Sequence, residues 1–161
     1  MNPDATNPGT AQAKPIPTLV QTLNPLVRRL LRLGLPMGQN ALLTVRGRTS
    51  GELRSIPVTI LETQGRRYVF AAFGEVNWVR NLRVAGGATL KQGRRSMAVT
   101  ATELAPEEAG PIMALAFGPL FKVKGFGAMI GGWYGVDPDS TAADYVESAR
   151  SHPAFELQPS S

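Results

Sequence analysis

Apolar residues along the chain keep two different periods, and the change between them predicts where helices give way to strands. Near the N-terminus Asn24 precedes Pro25, and Leu26, Leu30, Leu31 and Leu33 form one stripe up to Gly34. A capping residue, a proline at the first helical position and a glycine stop predict a short helix over 25–33, with Arg28, Arg29 and Arg32 on its other side. From Ala41 the period shortens to that of strands, over Ala41–Arg46, Arg54–Glu62 and Arg67–Phe73. Thr63-Gln64-Gly65-Arg66 joins the last two as a hairpin. Asn77 is placed to cap a helix through Trp78, Val79, Leu82 and Val84 that ends at Gly86 and Gly87. Ala88–Lys91 and Ser96–Glu103 then flank the turn Gln92-Gly93 as a second hairpin.

Pro106-Glu107-Glu108 puts a proline and two carboxylates in the first turn of a helix that continues to about Phe117. Asp139 or Ser140 caps a last helix through Tyr145 and Val146, and Pro153–Leu157 adds an edge strand. Five or six short antiparallel strands are best closed into a barrel, which removes their exposed edges and lets helices plug the ends. The fold expected is therefore α+β, mainly β, a small barrel flanked by helices. Segment 118–135 carries six glycines beside Phe121, Phe126, Met129, Trp133 and Tyr134. It leaves two readings open: a mobile apolar cover over a pocket, or an irregular loop whose aromatics fill the edge of the core.

Composition narrows the class. A chain of 161 residues with 43% apolar content fits one domain, expected over 18–161 after a polar, Pro/Ala/Asn-rich arm at 1–17. With no cysteine there are no disulfides, zinc thiolates, iron–sulfur clusters or thiol nucleophiles, which suits a cytoplasmic protein. No stretch is long and apolar enough to span a bilayer. The basic helix at 25–33 either packs on its own domain or rests on the inner face of an anionic membrane as a peripheral contact. Charge is unevenly spread: 13 basic and 3 acidic residues lie between Arg28 and Arg95, against 3 and 8 from Glu103 to Ser161. Arginine supplies 13 of the 17 cations, and its planar fork matches phosphate and carboxylate oxygens two at a time.

The segment from Arg46 to Arg54 has the chemistry of an anion cradle. Gly47 and Gly51 let the backbone curl, Thr49 and Ser50 add hydroxyl donors, and Arg46, Arg48 and Arg54 bring fixed charge. The same residues also make an ordinary hairpin connection. It is not a nucleotide-binding P-loop, because no Lys-Ser/Thr pair follows and no helix begins there. A nucleic-acid module fits poorly, since the strands lack alternating exposed aromatic and basic residues. His152, the one histidine, sits beside Pro153 with no nucleophile near it and reads as a surface or structural residue. Asp137 and Asp139 flank a proline and read as a turn and helix cap, so no metal is expected.

Leu42-Leu43-Thr44 leading into Gly47-Arg48-x-Ser50-Gly51-x-x-Arg54-x-x-Pro57, then Val69-Phe70-Ala71-Ala72, then Asn77-Trp78-Val79-Arg80-Asn81-Leu82, resembles the deazaflavin-dependent nitroreductase family of actinobacteria. These relatives include quinone reductases and belong to the split β-barrel flavin and deazaflavin oxidoreductases. The resemblance implies an FMN-binding-like split β-barrel of five to seven antiparallel strands. It implies coenzyme F420 as cofactor, with FMN the lesser alternative, and hydride transfer to a small electron-poor acceptor such as a quinone, an activated enone or a nitro compound. By that resemblance Leu42, Leu43 and Thr44 match the strand beside the cofactor. Arg48, Thr49, Ser50, Gly51, Glu52, Leu53 and Arg54 match the loop holding its phosphate and acidic tail. Phe70, Ala71, Ala72 and Phe73 match the strand beside the deazaflavin ring, and Trp78 with Asn81 the following helix. Tyr134 is the position for a catalytic, substrate-binding tyrosine. Gly74-Glu75-Val76 stands where quinone-reducing members carry a lysine, with Arg80 or Arg83 as its substitute. The resemblance also implies a homodimer. The competing readings are a non-catalytic deazaflavin or flavin carrier and a membrane-associated reductase of lipid-like double bonds.

Overall fold

A computed structural model describes Pro25 and residues 40–161. The arm expected at 1–17 lies outside the described residues, and so does all but Pro25 of the basic helix expected at 25–33. Seven strands form one antiparallel sheet: β1 Asn40–Arg46, β2 Leu53–Thr59, β3 Leu61–Thr63, β4 Arg66–Phe70, β5 Gly87–Gln92, β6 Arg95–Glu103 and β7 Ala154–Pro159. Four helices accompany it: α1 Asn77–Ala85, α2 Pro106–Phe121, α3 Phe126–Tyr134 and α4 Ala142–Ser151. The spatial order is β2-β1-β5-β6-β7-β4-β3. Its two outer strands, β2 and β3, are one stretch of chain bent at the fully buried Ile60, so the sheet curls until its ends meet.

Strand periodicity decides which side chains enter the barrel, because successive residues face opposite sides of a sheet. Leu43 and Val45 of β1, Val69 of β4, Val99 of β6 and Phe155 and Leu157 of β7 fill the interior, joined by Val79 and Leu82 of α1. The opposite face of β4 and β7 is covered too. Tyr68, Phe70 and Ala154 pack there under Met113 and Phe117 of α2, Ile130 and Tyr134 of α3, and Tyr145 of α4. Strands buried on both faces read as continuous apolar runs instead of alternating ones. Helices α2 and α4 touch at Gly110, where a β-carbon would lie 2.8 Å from the backbone nitrogen of Val146.

The observed elements correct several expectations. The strand expected over 54–62 is two strands, and the one expected to reach Phe73 stops at Phe70. Val76, with extended backbone, is the N-cap of α1; Asn77 is its first helical residue and its carboxamide faces Arg48 instead. Thr141, neither Asp139 nor Ser140, caps α4 through a capping box: its hydroxyl accepts from the Asp144 N–H while the Asp144 carboxylate accepts from its own. Asp137 and Ser140 are occupied in the preceding turn. The last strand is not an edge but lies between β6 and β4. Segment 118–135 is largely helical, α2 running through Pro119 to Phe121 and α3 bounded by left-handed Gly125 and Gly135. Among the described residues no helix is long and apolar enough to cross a membrane, and no group of three or more His, Asp or Glu side chains is placed to hold a metal ion.

Candidate active site

Two features meet at the N-terminal turn of α1. The first is the arginine loop between β1 and β2. Gly47 N–H donates to the Glu52 carbonyl (2.7 Å) and Gly51 N–H to the Gly47 carbonyl (2.9 Å), while Arg46 Nη1 donates to the Gly51 carbonyl (2.7 Å). Arg46 thus staples the loop. Gly51 has φ +72°, a backbone region that an L side chain enters only with strain. Arg48 is tied to α1: its N–H and its Nη1 both donate to Asn81 Oδ1, at 3.2 and 2.7 Å, and its Nη2 lies 3.5 Å from Asn77 Oδ1.

The second feature is a cavity of about 390 Å³. Its sheet side is made by Pro57 and Thr59 of β2, Phe70 at the end of β4, and Ala72, Phe73 and Trp78 beyond it. Phe117 and Leu120 of α2 with Phe126, Met129, Trp133 and Tyr134 of α3 close the other side. Among the described residues no charged side chain lines it; the polar ones belong to Asn40, Thr59, Trp78, Trp133 and Tyr134. Phe117 packs in T-shaped contact with Phe70 and with Tyr134, with centroids 5.6 and 4.7 Å apart. Tyr134 is buried, its hydroxyl has no hydrogen-bond partner among the described residues, and burial pushes its pKa well above the ordinary tyrosine value. The phenol therefore keeps its proton at neutral pH.

The glycine-rich segment is accordingly a helical cover over this cavity, tied down at its end. Ser148 Oγ donates to the Tyr134 carbonyl (2.6 Å). The ring of His152 contacts the Ser148 carbonyl through Nδ1 (2.6 Å) and the Trp133 carbonyl through Nε2 (3.0 Å). His152 is 2% exposed and caps α4, so it is a buried structural residue, neither on the surface nor in a strand.

The expected cofactor positions do not all share one surroundings. Phe70, Ala72, Phe73 and Trp78 line the cavity together with Tyr134, and Arg48 and Asn81 are in direct contact. Leu43 and Ala71 point into the barrel core, Leu42 is buried, and Thr44 Oγ1 is bonded to Ser55 Oγ (2.8 Å). Thr49, Ser50, Gly51, Glu52, Leu53 and Arg54 are exposed. Arg83 is not a substitute anion contact, because four donor contacts of 2.6–2.7 Å commit its guanidinium to Glu75 and Glu103. Arg80 is exposed on α1. Sequence reasoning missed Asn77 as a partner of Arg48, and Phe117 and Leu120 as cavity walls; the apolar run through Leu120 was the available signal for the second pair.

The loop suits an anionic tail by its donors. The backbone N–H groups of Thr49 and Ser50 have no acceptor among the described residues, Arg48 is on the same loop, and Arg54 stands at the start of β2 beside Gly47. Glu52 offers no free donor: its N–H bonds Ser50 Oγ (3.2 Å), and its carboxylate lies 3.7 Å from Arg54. The cavity suits a planar uncharged ring, and Trp78 joins the two, being one residue from Asn77 and one helical turn from Asn81.

The chain is similar in fold to several solved structures. Of solved structures, one described as an F420-H2 dependent reductase is 21% identical, over 74% of this chain and 94% of its own, with a TM-score of 0.49. A second, described as a domain-swapped dimer, is 20% identical over 87% and 99% with a TM-score of 0.51. The haem storage protein HutZ of Vibrio cholerae is 13% identical over 86% and 91% with a TM-score of 0.52. The fold is the FMN-binding-like split β-barrel. No curated protein matches the chain. The sequence profile of the F420H(2)-dependent quinone reductases matches residues 26–115, more than half of the chain. The chain belongs to the F420H(2)-dependent quinone reductase family, which makes it an oxidoreductase with coenzyme F420 as its cofactor.

Proposed function

We propose that the chain reduces a small, uncharged, electron-poor organic acceptor held in the aromatic cavity, while loop 46–54 holds the anionic tail of the coenzyme. The observation that carries this reading is the junction at α1: Trp78 lines an uncharged cavity, and Asn77 and Asn81 beside it hold an arginine of the loop. The length of the β1–β2 hairpin separates loop from far cavity wall by roughly 20 Å, so the site suits an elongated molecule with an ionic end and a planar end. The reduced coenzyme supplies the hydride when bound. What the protein adds is orientation and exclusion of water, which such a transfer chiefly needs. Phe70, Phe73, Phe117 and Trp133 pack the acceptor and keep out solvent. Tyr134, protonated and without another hydrogen-bond partner among the described residues, donates a hydrogen bond to the acceptor oxygen on which negative charge develops and serves as the proton source.

A quinone or an activated enone, uncharged and carrying a carbonyl oxygen, fits this lining best, and a nitro compound meets the same donor. Two copies of the chain pair in this reading, supported by the relative of the same fold described as a domain-swapped dimer. Sedimentation at several concentrations checks that point. The functional test is a fluorescence titration with coenzyme F420 followed by stopped-flow oxidation of its reduced form with a quinone, an enone and a nitro compound. Replacing both Arg48 and Arg54 by Ala is expected to weaken coenzyme binding on the order of a hundredfold, because the lost contacts are charge-assisted. Unchanged affinity rejects the loop as the tail site, and binding without turnover of any acceptor makes the protein a carrier.

A further inference from the structure

We propose that Asn81 is a positioning residue for coenzyme binding, acting through Arg48 and not by touching the coenzyme itself. The inference rests on the reading that loop 46–54 receives an anionic tail. Asn81 is 5% exposed, between the buried Val79 and Leu82 on α1. A buried carboxamide needs partners, and its oxygen has two acceptor sites. Both are filled by one residue 33 positions away: the backbone N–H of Arg48 at 3.2 Å and Nη1 of the same residue at 2.7 Å.

That pairing does three things. It turns the Arg48 N–H inward, while the next two N–H groups, of Thr49 and Ser50, have no acceptor among the described residues. It fixes a long, exposed side chain before any ligand arrives, so the entropy of ordering that side chain is not charged against binding. And it does so with a neutral amide, which holds the guanidinium without cancelling its charge. Arg48 has five N–H donors in total, and the pairing consumes one of them, with a second near Asn77 Oδ1. The others stay available to phosphate or carboxylate oxygens.

The test is a double-mutant cycle read by fluorescence titration with coenzyme F420, using the wild type, R48A, N81A and R48A/N81A. It is paired with hydrogen exchange of the Arg48 amide in the coenzyme-free protein. N81A is expected to weaken binding on the order of tenfold and to expose the Arg48 amide to exchange, and the double variant is expected to bind no more weakly than R48A alone. N81D serves as a second variant, since its carboxylate accepts both Arg48 donors and keeps the helix–loop contact. Its Arg48 amide should stay protected while binding weakens, because the carboxylate neutralises the cation. Multiplying effects in the double variant, or wild-type affinity in N81A or N81D, overturn the proposal. If R48A itself binds as well as the wild type, it is the loop reading that fails.

Discussion

Arg83 clamps the segment that delivers α1 to the site, and replacing it with methionine tests how much that clamp contributes. Its Nη1 and Nη2 donate to the two carboxylate oxygens of Glu75 at 2.6 Å each, and its Nε and Nη2 donate to Glu103 at 2.7 and 2.6 Å. Glu75 lies in the loop after Phe73, and Glu103 ends β6, so one guanidinium joins helix, loop and sheet. The side chains of Arg83, Glu75 and Glu103 are 35%, 18% and 35% exposed, which places the group between surface and interior. An exposed pair contributes about 0.2–1 kcal/mol; two-pronged geometry favours the upper end for each pair here, and together they amount to about 2 kcal/mol after screening. R83M keeps the aliphatic stem and loses that contribution, which for a chain of this size lowers Tm by about 4–8 °C.

The same clamp carries a pH signature. Hydrogen bonds from Arg83 hold the Glu75 carboxyl below its ordinary 4.5, outweighing the opposing effect of burial. A depressed folded-state pKa contributes stability that is fully present above the unfolded value and is lost as pH falls through the folded value. The Tm difference between wild type and R83M should therefore be full at pH 6–7 and shrink as pH drops below about 4.5. Thermal denaturation by circular dichroism from pH 3 to 7 measures it. Equal Tm values at pH 7, or curves that stay parallel down to pH 3, refute the reasoning.

Two further substitutions probe the cover and its support. F117A removes a 2% exposed ring that contacts both Phe70 and Tyr134, and should cost about 3–5 kcal/mol while widening the cavity; F117L should cost less than about 1.5 kcal/mol. Urea denaturation at constant m-value checks both. T141A removes the cap of α4 and should cost about 0.5–2 kcal/mol. The Thr141 N–H and hydroxyl hold the Asp144 carboxyl below its ordinary range, and T141A keeps the N–H, so in the same urea measurement only the hydroxyl's share of the difference should shrink as acid protonates Asp144.

What could be read from the sequence follows from where each signal is local. Alternation in β6, the Gln64-Gly65 turn with its positive φ values and the glycine stop at Gly86 need only neighbouring residues, and all three were legible. The position of β7 was not, because an apolar run buried on both faces looks the same at an edge or a centre until its partners are known. The caps of α1 and α4 were misplaced by one or two residues for a related reason. Asn77, Asp139 and Ser140 have suitable side chains, but those of Asn77 and Ser140 bond elsewhere, and Asp139 lies in the turn that Asp137 closes. The arginine loop was visible from its composition, whereas its attachment to Asn81 spans 33 residues and emerges only in three dimensions. Likewise Arg83 looked like a spare cation until its two carboxylates came into view.

The tie between α4 and the end of α3 holds the two ends of that helix unequally. Ser148 and His152 grip the last two carbonyls of α3, whereas its opposite end follows the left-handed Gly125 and carries Phe126, 40% exposed. The end of α3 that carries Trp133 and Tyr134 is thus held by two side chains of α4, whereas the Phe126 end is held by its own backbone bond to the Val123 carbonyl and faces solvent.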